Sequence, residues 1–155
     1  MIIICSQDNV QYVDCDEAWV IMRSPGGLPP RLLHDPRTSL HAELSPSLEL
    51  LSWTIQQKRK FRFSQEMFDQ EYVPRFLEEM RTQTAREALN HLYAEQKKKC
   101  IALVCSCRTE SLCHRSILAG LFVGAGCEVT NENRQDMGKY RKYWDVYHQK
   151  GRKYV

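Results

Sequence analysis

The sequence predicts an α/β protein: a single three-layer domain with a small, mainly parallel sheet flanked by helices, Rossmann-like in class. Three observations predict it. Short aliphatic runs are separated by longer stretches of helical periodicity. Those runs are apolar throughout rather than alternating, as strands covered on both faces are. Third, Ile101-Ala102-Leu103-Val104 leads through a polar loop into the apolar run 117–123. Strand, polar loop and helix form the unit with which α/β proteins present chemistry at a strand's carboxyl end.

At 155 residues, one domain covering 1–155 can bury a core without staples, and 43% hydrophobic with 26% charged residues is an ordinary globular composition. Within it, 1–133 reads as the α/β core with a cysteine loop at 105–116. Residues 134–155 read as a basic, aromatic C-terminal helix and tail. That tail carries seven Lys and Arg against two Asp, so it holds +5 while the rest of the chain holds −2.

In order along the chain, Met1–Ser6 is a first strand, with a turn at Asp8-Asn9. Residues 11–17 are unassigned. Trp19–Met22 is a second strand, broken by Arg23-Ser24-Pro25-Gly26-Gly27, and five prolines between 25 and 46 predict a long irregular loop. Ser45 is expected to cap a helix with Pro46 at its first position, continuing over 47–57. The basic stretch Lys58–Phe63 then complements the dipole at that helix's end. Ser64 caps the next helix, to about Arg81, with Met67, Tyr72, Phe76 and Met80 along one side. Thr84-Ala85-Arg86-Glu87 fits a capping box for a third, whose inward stripe is Leu89, Leu92 and Tyr93. After the strand 101–105 come a helix over 112–124, a short strand over 127–130 and a last helix over 136–148. Tyr140, Tyr143, Trp144 and Tyr147 fall at the spacing of a core-facing stripe on that helix. The same aromatics, interleaved with Lys and Arg, equally suit a nucleic-acid surface.

No apolar run approaches the roughly 20 residues of a membrane span. Met1-Ile2-Ile3-Ile4 lacks the basic start of a secretory signal, so a cytoplasmic protein without a membrane partner is expected. Seven cysteines at irregular spacing then read as core thiols, ligands or catalytic groups before disulfides. His34, His41, His91 and His148 are isolated and read as surface or satisfied histidines.

Reactive side chains are densest in the loop from Cys105 to Ser116. His114 and Arg115 fall at the start of a helix, where a cation opposes the dipole and free N–H groups favour an anion. Arg115 is therefore a candidate anion binder, its alternative being an internal acid such as Glu43 or Glu110. Arg23 and Ser24 at the end of another strand, and Arg108, Ser111 and Ser116 in the loop, are candidates for the same anion. Cys105 and Cys113 are candidate nucleophiles beside His114 as acid/base, against the alternative of small buried hydrophobes. The loop is not the phosphatase or rhodanese pattern: five residues after Cys107 the chain reaches Cys113, not Arg. Cys105, Cys107, Cys113 and His114 also form a Cys₃His set. Against zinc, Cys-x-Cys is tighter than usual and Cys113 and His114 would diverge on a helix.

Three stretches together resemble the family called domain of unknown function 488. They are Leu103-Val104-Cys105 followed by Cys113-His114-Arg115-Ser116, Met22-Arg23-Ser24-Pro25-Gly26 with Leu44-Ser45-Pro46-Ser47, and Glu71-Tyr72 with Phe76-Leu77-Glu78-Glu79. The resemblance covers roughly residues 18–125; Cys107 and the tail after Gly126 depart from it. It implies an α/β fold and a functional cysteine loop, and supplies no reaction. The expectation is an enzyme or enzyme-like protein acting on a phosphate-bearing ligand, a nucleotide or nucleic acid, with no cofactor. The alternative is a non-catalytic module binding nucleic acid or protein.

Overall fold

The computed structural model describes residues 1–24 and 27–152, with side chains through residue 149. Pro25 and Gly26 of the strand-breaking motif lie outside the described residues, as do 153–155 and the side chains of Lys150 and Arg152 in the basic tail.

Five strands form one parallel sheet in the order β3-β2-β4-β1-β5. They are β1 (Ile2–Ser6), β2 (Glu17–Val20), β3 (Thr38–Leu40), β4 (Ile101–Cys105) and β5 (Val129–Asn131). β4 is central because it is sealed on both faces: all five of its residues are buried, and β1 and β2 pair on either side. Its bounds are those expected. β2 begins two residues before the expected strand, although Ile21 still donates to the Val104 carbonyl at 3.0 Å. β5 is shifted to 129–131, and an isolated antiparallel bridge joins Thr130 to Asp136.

The helices are α1 (Pro30–Leu33), α2 (Leu48–Arg59), α3 (Gln65–Met67), α4 (Val73–Glu79), α5 (Gln83–Glu95), α6 (His114–Gly124) and α7 (Lys142–Arg152). Period-2 geometry divides the sheet's side chains between two unequal layers. Ile2, Ile4, Trp19, Ile101 and Leu103 face the main core with the long helices. Cys5, Ala18, Val20, Ala102 and Val104 face a thinner layer built from Val10, Cys15 and α1's Leu32.

The proline-rich segment is not wholly irregular. It holds α1 and the edge strand β3, whose Thr38, Ser39 and Leu40 are half-buried to exposed and so carry no apolar run. Two caps also move. Ser47, not Ser45, caps α2, its Oγ accepting from the Leu50 amide at 3.1 Å. Thr82, not Thr84, caps α5. The helix begun at Ser64 is interrupted by a π-helical turn, Phe68–Tyr72, ahead of Pro74. Proline has no N–H to give the ladder, and widening the preceding turn accommodates that loss. The widened turn buries both Phe68 and Tyr72, with their rings stacked at 4.9 Å.

α7 and the 3₁₀ turn Gly138–Tyr140 before it pack on the back of α6 through close contacts at two glycines. A Cβ at Gly120 would lie 2.0 Å from the Tyr140 carbonyl oxygen, and one at Gly124 would lie 2.0 Å from the Trp144 ring. The last helix starts at Lys142 rather than 136, with Tyr140 in a 3₁₀ turn before it. Of the expected stripe, Tyr140 and Tyr143 are buried at 4% and 2% exposure, whereas Trp144 and Tyr147 are half-buried.

Candidate functional site

The site forms where the ends of β4 and β2 meet the start of α6. After Cys105 the chain passes through a 3₁₀ turn at Glu110–Leu112 to Cys113, the residue preceding α6. Cys113 has extended backbone, φ −120° and ψ 145°, so its side chain does not follow helical geometry. The expected divergence of Cys113 from His114 therefore does not occur. His114 Nδ1 stands 3.7 Å from the Cys113 sulfur and 3.9 Å from the Cys105 sulfur. The three donor atoms lie within 4.8 Å of one another.

The other imidazole nitrogen fixes the ring. Nε2 donates to the Ile21 carbonyl at 2.6 Å, beyond the end of β2. A carbonyl only accepts, so Nε2 carries a proton and the Nδ1 edge of the ring is turned to the sulfurs. All three side chains are buried, Cys105 at 2%, Cys113 at 1% and His114 at 4% exposure. Cys107 is half-buried beside Cys105 and Cys113. The Cys107 contact and burial push the Cys105 thiol up to about 12 against an opposing Cys113 contact. For Cys107, the Cys105 contact pulls down, but Cys113 and burial carry its thiol up to about 11.

Arg115 is 1% exposed. Its Nη1 donates to the Cys107 carbonyl at 2.7 Å, its guanidinium faces the Cys113 sulfur, and its Nε has no partner. Neither acid suggested by the sequence pairs with it. Glu43 contacts His41 at 3.3 Å, while Glu110 accepts from Asn131 and from the Tyr140 hydroxyl. Among the described residues, no carboxylate comes within ion-pair distance of this buried cation.

A cavity of about 160 Å³ opens beside the thiols, walled opposite by α2. Of the sequence candidates, Cys105, Cys107, Cys113, His114, Arg23 and Ser24 line it. Arg108, Ser111, Arg115 and Ser116 do not. Arg108 is exposed, and Ser111 offers its carbonyl to Gln65 at 3.2 Å. Arg115 stands behind the thiols, and Ser116 is 0% exposed with its hydroxyl on the Cys113 carbonyl. Arg115 thus differs from the open anion receptor expected of it: it is buried, and its Nη1 is already spent on the loop backbone.

Lys58, by sequence a helix-end charge, and Tyr72, by sequence part of an apolar stripe, also line the cavity. Burial and the nearby thiols push the Tyr72 phenol well above its ordinary value, so it stays a neutral donor. Among the described residues no carboxylate lines the cavity, whereas Arg23 and Lys58 do. Arg23 donates to the carbonyls of Pro46 (2.8 Å) and Ala42 (3.4 Å), and Lys58 lies 5.5 Å from the Phe63 ring centre. Neither forms an ion pair among the described residues.

Fold and site together define a small parallel α/β protein with a cysteine–histidine cluster at the carboxyl end of its central strand. Residues 2–126 match the family described as DUF488-N3a, the Active DUF488-N3 subclade. The chain belongs to the DUF488 family. No curated protein and no solved structure matches it. No helix among the described residues is long and apolar enough to cross a membrane.

Proposed function

We propose that the chain is a thiol-dependent enzyme acting on a small phosphate-bearing or similarly anionic substrate. Cys113 is the nucleophile, His114 its base and Arg115 the adjacent positive charge. The observation that carries the reading is Arg115, a guanidinium buried with no carboxylate and facing the Cys113 sulfur. Leaving a buried charge unpaired costs several kcal/mol, on the order of 3–5 when a partner is removed. A sulfur that has given up its proton is the natural counter-ion.

The roles follow from the geometry. Nδ1 takes the Cys113 proton across 3.7 Å while the Ile21 carbonyl holds the ring in the required tautomer. The sulfur attacks an electrophilic centre of the substrate. The bond to the leaving group breaks, and that group departs with its electron pair and receives the proton from Nδ1. Water or a second acceptor then releases the bound group and restores the thiol. Arg23 and Lys58 hold the substrate's anionic group, and the apolar wall of α2 holds its body. The family's description as an active subclade accords with this reading.

The test is alkylation of the full chain by iodoacetamide at neutral pH, followed by peptide mapping. Cys113 should label faster than Cys100 and Cys127, which are more exposed but whose thiols burial pushes up. A nucleoside monophosphate should slow that labelling, and Arg23→Gln with Lys58→Gln should remove the protection. Cys113 labelling no faster than Cys127 overturns the reading.

A further inference from the structure

We propose that Cys105 Sγ, Cys113 Sγ and His114 Nδ1 are three ligands of a site for a thiophilic divalent cation of the Zn²⁺ class. Its fourth position opens toward the cavity. This goes beyond the nucleophile reading, which concerns the metal-free site: the bound cation withdraws Cys113 from reaction.

The distances support it. Zinc–sulfur bonds of about 2.3 Å and zinc–nitrogen bonds of about 2.0 Å at tetrahedral angles place sulfur about 3.6 Å from nitrogen. The two observed separations are 3.7 and 3.9 Å, and the three donor atoms already lie within 4.8 Å of one another. The cluster needs only small side-chain adjustments to close on an ion.

The orientation supports it independently. A ligating imidazole characteristically donates its remote N–H to a carbonyl or carboxylate, which fixes the ring. His114 does this through Nε2 to Ile21 at 2.6 Å, with Nδ1 aimed between the sulfurs. Sulfur and imidazole donors with no carboxylate among them favour zinc or its analogues over magnesium or calcium. The three come from two elements, the end of β4 and the start of α6, which the sheet holds in register. Cys105, Cys113 and His114 all line the cavity, so a ligand in the fourth position has room. Cys107 lies nearby but is not within the three-atom cluster, so the assignment leaves it out.

The test is anaerobic titration of the full chain with Co²⁺, a spectroscopic stand-in for Zn²⁺. One equivalent should give a thiolate-to-cobalt charge-transfer band and tetrahedral visible bands, both lost on adding Zn²⁺. Cys113→Ala should lose the charge-transfer intensity and His114→Ala the tetrahedral spectrum, while Cys107→Ser should keep both. Because His114 is buried, urea unfolding of each metal-free variant confirms that it is folded. As a readout free of mutation, Zn²⁺ should raise the melting temperature of the unaltered chain and stop Cys113 alkylation, and a chelator should restore it. No charge-transfer band, or a band that keeps its full intensity in Cys113→Ala or disappears in Cys107→Ser, overturns the assignment. Its failure is separable from that of the nucleophile reading. Fast metal-free labelling of Cys113 without cobalt binding removes the metal site alone, and cobalt binding by inert thiols removes the nucleophile alone.

Discussion

Glu79 grips both polar groups of Ser47: one carboxylate oxygen accepts the Ser47 amide at 2.7 Å and the other its hydroxyl at 2.5 Å. The contact joins the end of α4 to the start of α2, the helix that walls the cavity. It also fills that helix's amino terminus with an internal carboxylate, so an incoming anion finds it occupied.

Ser47→Ala should therefore remove the cap and one of Glu79's two bonds, the backbone amide keeping the other. A loss of about 0.5–2 kcal/mol is expected from the cap, read as a lower urea midpoint with unchanged slope. Glu79→Gln should cost less, because the amide oxygen still accepts one of the two bonds.

Arg115→Met keeps much of the buried volume but strands the Cys107 carbonyl. A hydrogen bond to a charged group contributes about 1.5–3 kcal/mol, so urea unfolding should show a loss of that order. Labelling of Cys113 should also slow. Unchanged labelling in a folded Arg115→Met protein would remove Arg115 from the proposed chemistry.

Gly120→Ala places a methyl against the Tyr140 carbonyl, a backbone atom that cannot swing aside. Overpacking of this kind costs about 1–3 kcal/mol, seen as a lowered melting temperature. Gly124→Ala should lower it comparably, since the new methyl meets Trp144 at its Cβ, 2.5 Å away, which rotation of the indole does not move.

His41 stacks on Trp19 with ring centres 3.7 Å apart. Burial, and to a smaller extent His91, push its imidazole below the ordinary value, against Glu43 and Glu17, which raise it. The folded state thus binds this proton less readily than the unfolded chain. The sign follows: its contribution is full above the unfolded value of about 6.5 and is lost as pH falls below it. Melting temperature should drop from pH 7.5 to 5.5, and His41→Phe should flatten that part of the drop. An identical slope in the variant would rule His41 out as its source.

The sheet's centre was legible because burial on both faces leaves an unbroken aliphatic run, as in Ile101–Cys105. The edge was not. Thr38-Ser39-Leu40 pairs through its backbone alone, and nothing in three half-polar residues records that. Ser47 and Thr82 each had a competing cap two residues away, and the choice was made by tertiary partners such as Glu79. At the site, the loop's chemistry was visible but its shape was not. Treating Cys113 as helical pointed it away from His114; one extended residue turns it back. Lys58 and Tyr72 reach the cavity from α2 and the π-helical turn, positions that sequence spacing does not connect to position 105.

The family match ends at Gly126, yet the back of α6 is sealed by Tyr140 and Tyr143, which come after it. Seen from the helix that carries His114, the later segment is masonry rather than ornament. A relative without it needs bulkier residues where this chain has Gly120 and Gly124, or a neighbouring subunit pressed into the same hollow.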